Sequence, residues 1–148
     1  MEYIQQLRKH IGHAPILMVG AAILIVDEQN RLLLMKRSDS GHWGPPGGAT
    51  EPGEVVEDAA RRETLEETGL GVGEISLFGV FSGPELYYKY PNGDEVYNVT
   101  IVYISREVTG DIRLNGEHTE WGWFAAKDIP EEISPPIVPV IEKFKVSK

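Results

Sequence analysis

The stretch APILMVGAAILIV (14–26) carries no charged side chain, and it limits where everything else in the chain can go. A bilayer-spanning helix needs about 20 apolar residues, and this run is shorter. Arg8 and Lys9 precede it much as a basic region precedes the apolar part of a secretion signal, but DEQN follows it where a small-x-small cleavage site would stand. A long, mostly buried strand satisfies the pattern and needs other elements packed on its sheet. A chain of 148 residues can provide them, since a domain of that size buries roughly two-thirds of the surface its unfolded form exposes.

The remaining sequence provides that cover. Ile4, Leu7 and Ile11 recur at helical spacing and Gly12 stops them, which predicts a short amphipathic helix within residues 1–13. RLLLMKR (31–37) reads as a second strand ending in basic residues, and SDSGHWGPPGG (38–48) reads as loop from its Gly and Pro. EPGEVVEDAARRETLEETG predicts a loop and then a helix over roughly 55–68, closed by Gly69. ISLFGVF (75–81) is a strand candidate, LYYKY and EVYNVTIVYI flank the hairpin signal Asn92-Gly93, and EWGWF (120–124) reads as a last strand. PPIVPVIEKF (135–144) predicts a C-terminal helix within 134–148. Strands and helices alternate without repeat or linker, so the expectation is one α/β domain over 1–148, with a mixed sheet between helices.

Composition removes several function classes. A net charge of −9 opposes the counterion release on which nucleic-acid binders depend, so no duplex partner is expected. The absence of Cys excludes disulfides, thiolate metal sites and cysteine nucleophiles, and a cytoplasmic location is the simplest expectation. The histidines at 10, 13, 42 and 118 show no paired metal spacing.

Carboxylates remain, and one helix concentrates them. Advancing about 100° per residue from Glu63, Val56 falls at about 20°, Ala59 at about −40°, Ala60 at about 60°, Glu66 at about −60° and Glu67 at about 40°. Glu63, Glu66 and Glu67 thus continue the apolar stripe, where an ordinary surface helix would stay apolar. An unpaired buried carboxylate costs several kcal/mol, so a cation is expected beside them. Arg61 and Arg62 fall at about 160° and −100°, away from the three Glu, and a hard divalent ion fits better; a solvated, charge-laced helix is the other reading.

GATEPGEVVEDAARRETLEETGL (48–70) resembles the signature of the Nudix (MutT-like) hydrolases: Gly, five residues, Glu, seven residues, then Arg-Glu-aliphatic-x-Glu-Glu-x-Gly-aliphatic. Gly48, Glu54, Arg62, Glu63, Glu66, Glu67, Gly69 and Leu70 stand at its positions, and Thr64 replaces the usual aliphatic residue. WGPPGG before the box and WF with DIP after it extend the resemblance over most of residues 17–130. The resemblance implies an α/β/α sandwich with a mixed sheet and a loop-helix-loop box over 47–70. It implies an enzyme that cleaves the diphosphate linkage of a nucleoside diphosphate joined to a further group X, with Mg²⁺ or Mn²⁺. By the same resemblance Glu63, Glu66 and Glu67 are metal ligands, with the Gly47 carbonyl an addition; Glu54 lies near the metal and Arg62 orients the glutamates.

The general base stays open. Glu63 or Glu67 is a candidate within the box, and Glu117 or Glu120 in NGEHTEWGWF is a candidate outside it, Glu120 being slightly preferred. On the substrate side, Arg37 is a candidate phosphate contact and Trp43, Tyr88 and Lys89 are candidate nucleotide contacts. The tyrosines of the hairpin could equally serve cross-strand packing or a homodimer surface. A nucleotide-sensing module without turnover is the alternative function; such modules commonly lose box carboxylates, and all are present here. Isomerisation of isopentenyl diphosphate on the same fold would call for a Cys that this chain lacks.

Overall fold

The computed structural model describes residues 2–147; the first residue of the 1–13 segment and the last of the 134–148 segment lie outside the described residues. Among the described residues three α-helices are formed: α1 (Glu2–Ile11), α2 (Val56–Thr68) and α3 (Val138–Val146). The strands are β1 (Ile16–Ile25), β2 (Leu32–Arg37), β3 (Trp43–Gly44), β4 (Gly47–Ala49), β5 (Gly71–Val72), β6 (Ser76–Phe81), β7 (Tyr87–Lys89), β8 (Glu95–Ser105), β9 (Val108–Thr109) and β10 (His118–Phe124).

The apolar run forms β1 and lies inside a mixed sheet. It pairs in parallel with β8 from Ile16↔Val96 to Ile25↔Ser105, and antiparallel with β4 on its other edge. The far edge of β8 carries β6 and β7, both antiparallel. A second, antiparallel sheet has the order β10-β2-β3, and β5 pairs with β9.

Strand alternation divides the β1–β8 sheet into two faces. On one, Ala21, Ile23, Ile25 and Tyr103 pack with Ala59 and Ala60 of α2. On the other, Leu24, Val26 and Val102 pack with Leu32 and Leu34 of β2 and with Val140, Ile141 and Phe144 of α3. Toward the start of β1 this second face changes character: Met18 pairs with Asn98 and Gly20 with Thr100, and the small or polar Gly20, Asn98 and Thr100 border a cleft instead of a core.

The Gly- and Pro-rich segment expected to be loop also forms β3 and β4, because Gly47–Ala49 supplies the edge pairing that β1 needs. Tyr87↔Tyr97 and Lys89↔Glu95 confirm the hairpin, although its connection is a five-residue loop in which the Tyr90 N–H donates to the Asp94 carbonyl at 2.8 Å. Pro135 and Pro136 form a 3₁₀ turn, and the C-terminal α-helix starts after it. Among the described residues no helix is long and apolar enough to cross a membrane.

Candidate active site

The sequence around α2 explains how the helix presents its charge. Ala59 and Ala60 have small side chains and are fully buried, which seats the helix close to β1. Thr64, at the box position usually aliphatic, is also fully buried, and its hydroxyl donates to the Ala60 carbonyl at 2.8 Å. Gly69 ends the helix in the left-handed region (φ 77°), where its N–H reaches the Leu65 carbonyl.

The buried positions of the helix are Ala59, Ala60, Thr64, Glu67 and Thr68, so the stripe is rotated from the expected one. Glu67 is inside at 5 % exposure, Glu63 lies at the margin with a side chain 12 % exposed, and Glu66 is out in solvent at 53 %. The expectation that all three carboxylates continue the buried stripe is therefore corrected for Glu66. The position of Arg62 is corrected too. Its long side chain folds back to donate to both oxygens of Glu54 at 2.7 and 2.9 Å and to Glu63 at 3.0 Å, and it lies 3.4 Å from Glu66. The backbone wheel missed this because an arginine reaches across a helical turn.

Glu67 is left apart from that network. Among the described residues its one hydrogen-bond donor is the Gly47 N–H at 3.0 Å. Burial, with the neighbouring charges of Glu63 and Glu117, pushes its carboxyl up to about 8, and the Gly47 bond and the more distant Arg37 offset this only in part. Desolvation raises Glu63 as well, against the pull of Arg62. Glu54 shifts the other way, held down by its bonds to Arg62. The backbone leaves room for Glu63 because residue 48 is Gly: a Cβ there would lie 2.5 Å from the Glu63 carboxyl carbon.

These residues form one wall of a cleft of about 570 Å³. Glu63, Glu66, Glu67, Arg62, Gly47 and Gly48 lie on it, and Glu117 and His118 join from the start of β10. Arg37 is also on the cleft, clamped by both oxygens of Asp39 at 3.0 and 2.9 Å, which holds the Asp39 carboxyl at about 2. The opposite wall contains Gln5, Met18, Tyr88, Tyr90, Asn98 and Thr100.

Three expected site residues are elsewhere. Glu120 is 60 % exposed and 3.5 Å from Lys36, off the cleft, because the register of β10 shifts between His118 and Glu120. Trp43 packs edge-on against Phe124 at 5.3 Å among Ile133 and Ile137, while its neighbours Gly44 and Pro45 border the cleft. Lys89 is exposed at the end of β7. Conversely, Asn98 and Thr100 were missed. Both are polar at inward positions between the buried Val96 and Val102, an anomaly that shows once β8 is placed inside the sheet.

Among the described residues no three acidic or imidazole side chains already converge on one metal position, since Arg62 draws Glu63 and Glu66 toward itself. The donor chemistry nevertheless suits a hard divalent cation: carboxylate oxygens on a polar cleft, one of them buried without a cationic partner in contact.

The sequence pattern of the NUDIX domain matches residues 16–144, and the chain belongs to the Nudix hydrolase family. It is 42 % identical over 66 residues to a putative 8-oxo-dGTP diphosphatase of Bacillus subtilis, a match covering 45 % of this chain and 44 % of that one. It is 34 % identical over 110 residues to an ADP-ribose pyrophosphatase of Methanocaldococcus jannaschii, covering 72 % and 62 %. The matched part thus spans less than two-thirds of either relative. A crystal structure of a MutT NUDIX hydrolase from Burkholderia pseudomallei superimposes with a TM-score of 0.74 at 31 % identity, covering 89 % of this chain and 99 % of that one.

Proposed function

We propose that the protein hydrolyses a diphosphate linkage in a nucleoside diphosphate derivative, with Mg²⁺ or, alternatively, Mn²⁺. The observation that carries this reading is Glu67, a buried carboxylate facing the cleft with a single backbone donor. Such a group is costly unless a cation joins it, and the same wall offers Glu63 and Glu66 as further oxygen donors. Glu63, Glu66 and Glu67 would hold the ion, with the Gly47 carbonyl as a fourth candidate. When bound, the ion would screen the diphosphate oxygens and acidify the attacking water.

The chain's own groups account for the rest. Arg62 ties Glu54 and Glu63 together, so that the carboxylate wall keeps its shape without substrate. Glu117 replaces Glu120 as the preferred base, because it is on the cleft and Glu120 is not. It would accept the water proton as the water oxygen attacks phosphorus and the bridging phosphorus–oxygen bond breaks. Arg37 is placed to meet a phosphate oxygen, in exchange with Asp39.

A panel including ADP-ribose, 8-oxo-dGTP, nucleoside triphosphates, nucleotide sugars and dinucleoside polyphosphates tests the reading. The expected outcome is release of a nucleotide or phosphate product from some member with Mg²⁺ or Mn²⁺ and none in excess chelator. Full activity in chelator would overturn the metal requirement. Binding without cleavage across the panel would instead favour the nucleotide-sensing module.

A further inference from the structure

The NUDIX match begins at residue 16, whereas α1 ends at Ile11, so this helix is an addition to the matched domain. It is fastened to the hairpin between β7 and β8. Arg8 donates to the carbonyls of Gly12 at 3.0 Å, Ala14 at 2.6 Å and Glu95 at 2.8 Å, and it lies 3.6 Å from the Asp94 carboxylate. His13 meets the same Asp94 at 2.7 Å. One turn earlier, Ile4 packs against the cluster of Met18, Ala49 and Val96 that also receives Tyr88 and Tyr90.

This anchorage places Gln5 on the cleft. Gln5 is exposed, and its carboxamide has no hydrogen-bond partner among the described residues, so a donor and an acceptor both face the cleft free for a ligand. Nearby on the same wall, Asn98 donates to the Leu86 carbonyl at 3.0 Å, which leaves its amide oxygen as an acceptor. Tyr88 and Tyr90 add rings 4.9 Å apart and almost perpendicular. No carboxylate belongs to this group of five residues with Met18, while Glu63 and Glu67 stand at the other end. Along β1, Met18 and the Ala21–Ala22 segment beside Gly47 and Gly48 are separated by ~10–13 Å at the rise of a strand. The cleft therefore has an anionic end suited to a cation and a diphosphate, and an uncharged amide-and-aromatic end that the Arg37–Asp39 ion pair borders at Tyr90.

We propose that α1 is the specificity wall of the enzyme and that Gln5 reads the hydrogen-bonding edge of the substrate's nucleobase. This rests on the nucleotide-hydrolase reading for the direction in which substrate lies. A polar contact of this kind, once a bound base covers it, discriminates between bases, because the wrong edge leaves the amide unpaired.

The test uses free nucleosides, which need neither metal nor turnover. Adenosine, guanosine, cytidine and uridine are titrated into the full-length chain and followed by NMR. The expected result is that one nucleoside binds several-fold more tightly than the others and shifts the Gln5 side-chain amide resonances. Gln5→Ala, at an exposed helical position where Ala is well tolerated, weakens that nucleoside about five- to tenfold and brings the four within about twofold of each other. Arg8→Ala, which unfastens the helix, flattens the preference in the same way. Unchanged ranking in Gln5→Ala would overturn the proposal, as would binding that leaves the Gln5 amide unmoved, or no binding by any nucleoside. If nucleosides select through Gln5 but the substrate panel is not cleaved, the hydrolase reading fails while base recognition by Gln5 stands.

Discussion

The two walls of the cleft are built in opposite ways. The anionic wall is mostly one continuous segment, Gly47 to Glu67, in which a strand, a loop and a helix return on one another through the Arg62 bonds to Glu54 and Glu63. The neutral wall is collected from α1, β1, β7, the hairpin loop and β8. Its residues meet because β8 pairs with β1 and β7, and because Arg8 clamps the helix to the hairpin. The contrast teaches that the carboxylate cluster can be written locally, whereas the wall proposed to select the substrate depends on how distant segments assemble.

Substitutions on the two walls should separate these roles. Glu67→Gln is expected to lower the Mg²⁺-dependent rate by on the order of 10² or more, with nucleoside selection retained. Glu117→Gln should cost on the order of 10² in kcat, and Glu120→Gln less than about twofold; the reverse order in a pH–rate comparison would return the base to Glu120. Arg62→Ala should lose ~10- to 100-fold in metal affinity or rate, since its removal frees Glu54 and Glu63, and a metal titration checks it. Asn98→Ala on the neutral wall should act mainly through KM, about five- to tenfold, and change the ranking of substrates. A kcat loss at Asn98 as large as at Glu67 would break the division between walls.

The same contrast decides what could be read without coordinates. The box residues, the helix and its Gly69 terminus were legible because their spacing is short and fixed by local geometry. The central strand was legible because an uncharged run of that length needs burial. The rotation of the buried stripe was not, since it depends on where β1 and Leu33 of β2 press on the helix, and Glu66 emerged exposed as a result. Glu120 and Trp43 are side-chain orientations set by a register shift and by contact with Phe124, which no spacing specifies. Asn98 and Thr100 become readable only once β8 is known to be central, so that polar residues at its inward positions are anomalous.

Glu67 also predicts a pH dependence of stability. In the unfolded chain its carboxyl ionises near the ordinary value of 4.5, and in the metal-free fold near 8, so the folded state holds a proton that the unfolded state releases between these limits. Its contribution is fully present below 4.5 and is lost as pH rises toward 8. His118, whose imidazole burial depresses, works in the other direction as pH falls through its unfolded value. The difference between wild type and Glu67→Gln isolates Glu67: metal-free Glu67→Gln should melt higher than wild type at pH 8, with the gap closing toward pH 5.

The most direct measurement is therefore thermal unfolding at pH 8 of wild type and Glu67→Gln, each with chelator and with Mg²⁺ at about 100 times its dissociation constant for wild type. The account predicts a rise of about 5–10 °C on Mg²⁺ addition for wild type. It also predicts little response from Glu67→Gln, whose metal-free form should already be the more stable. Equal Mg²⁺ responses, with metal-free wild type at least as stable as the variant, would contradict the claim that Glu67 is a buried carboxylate kept for a cation.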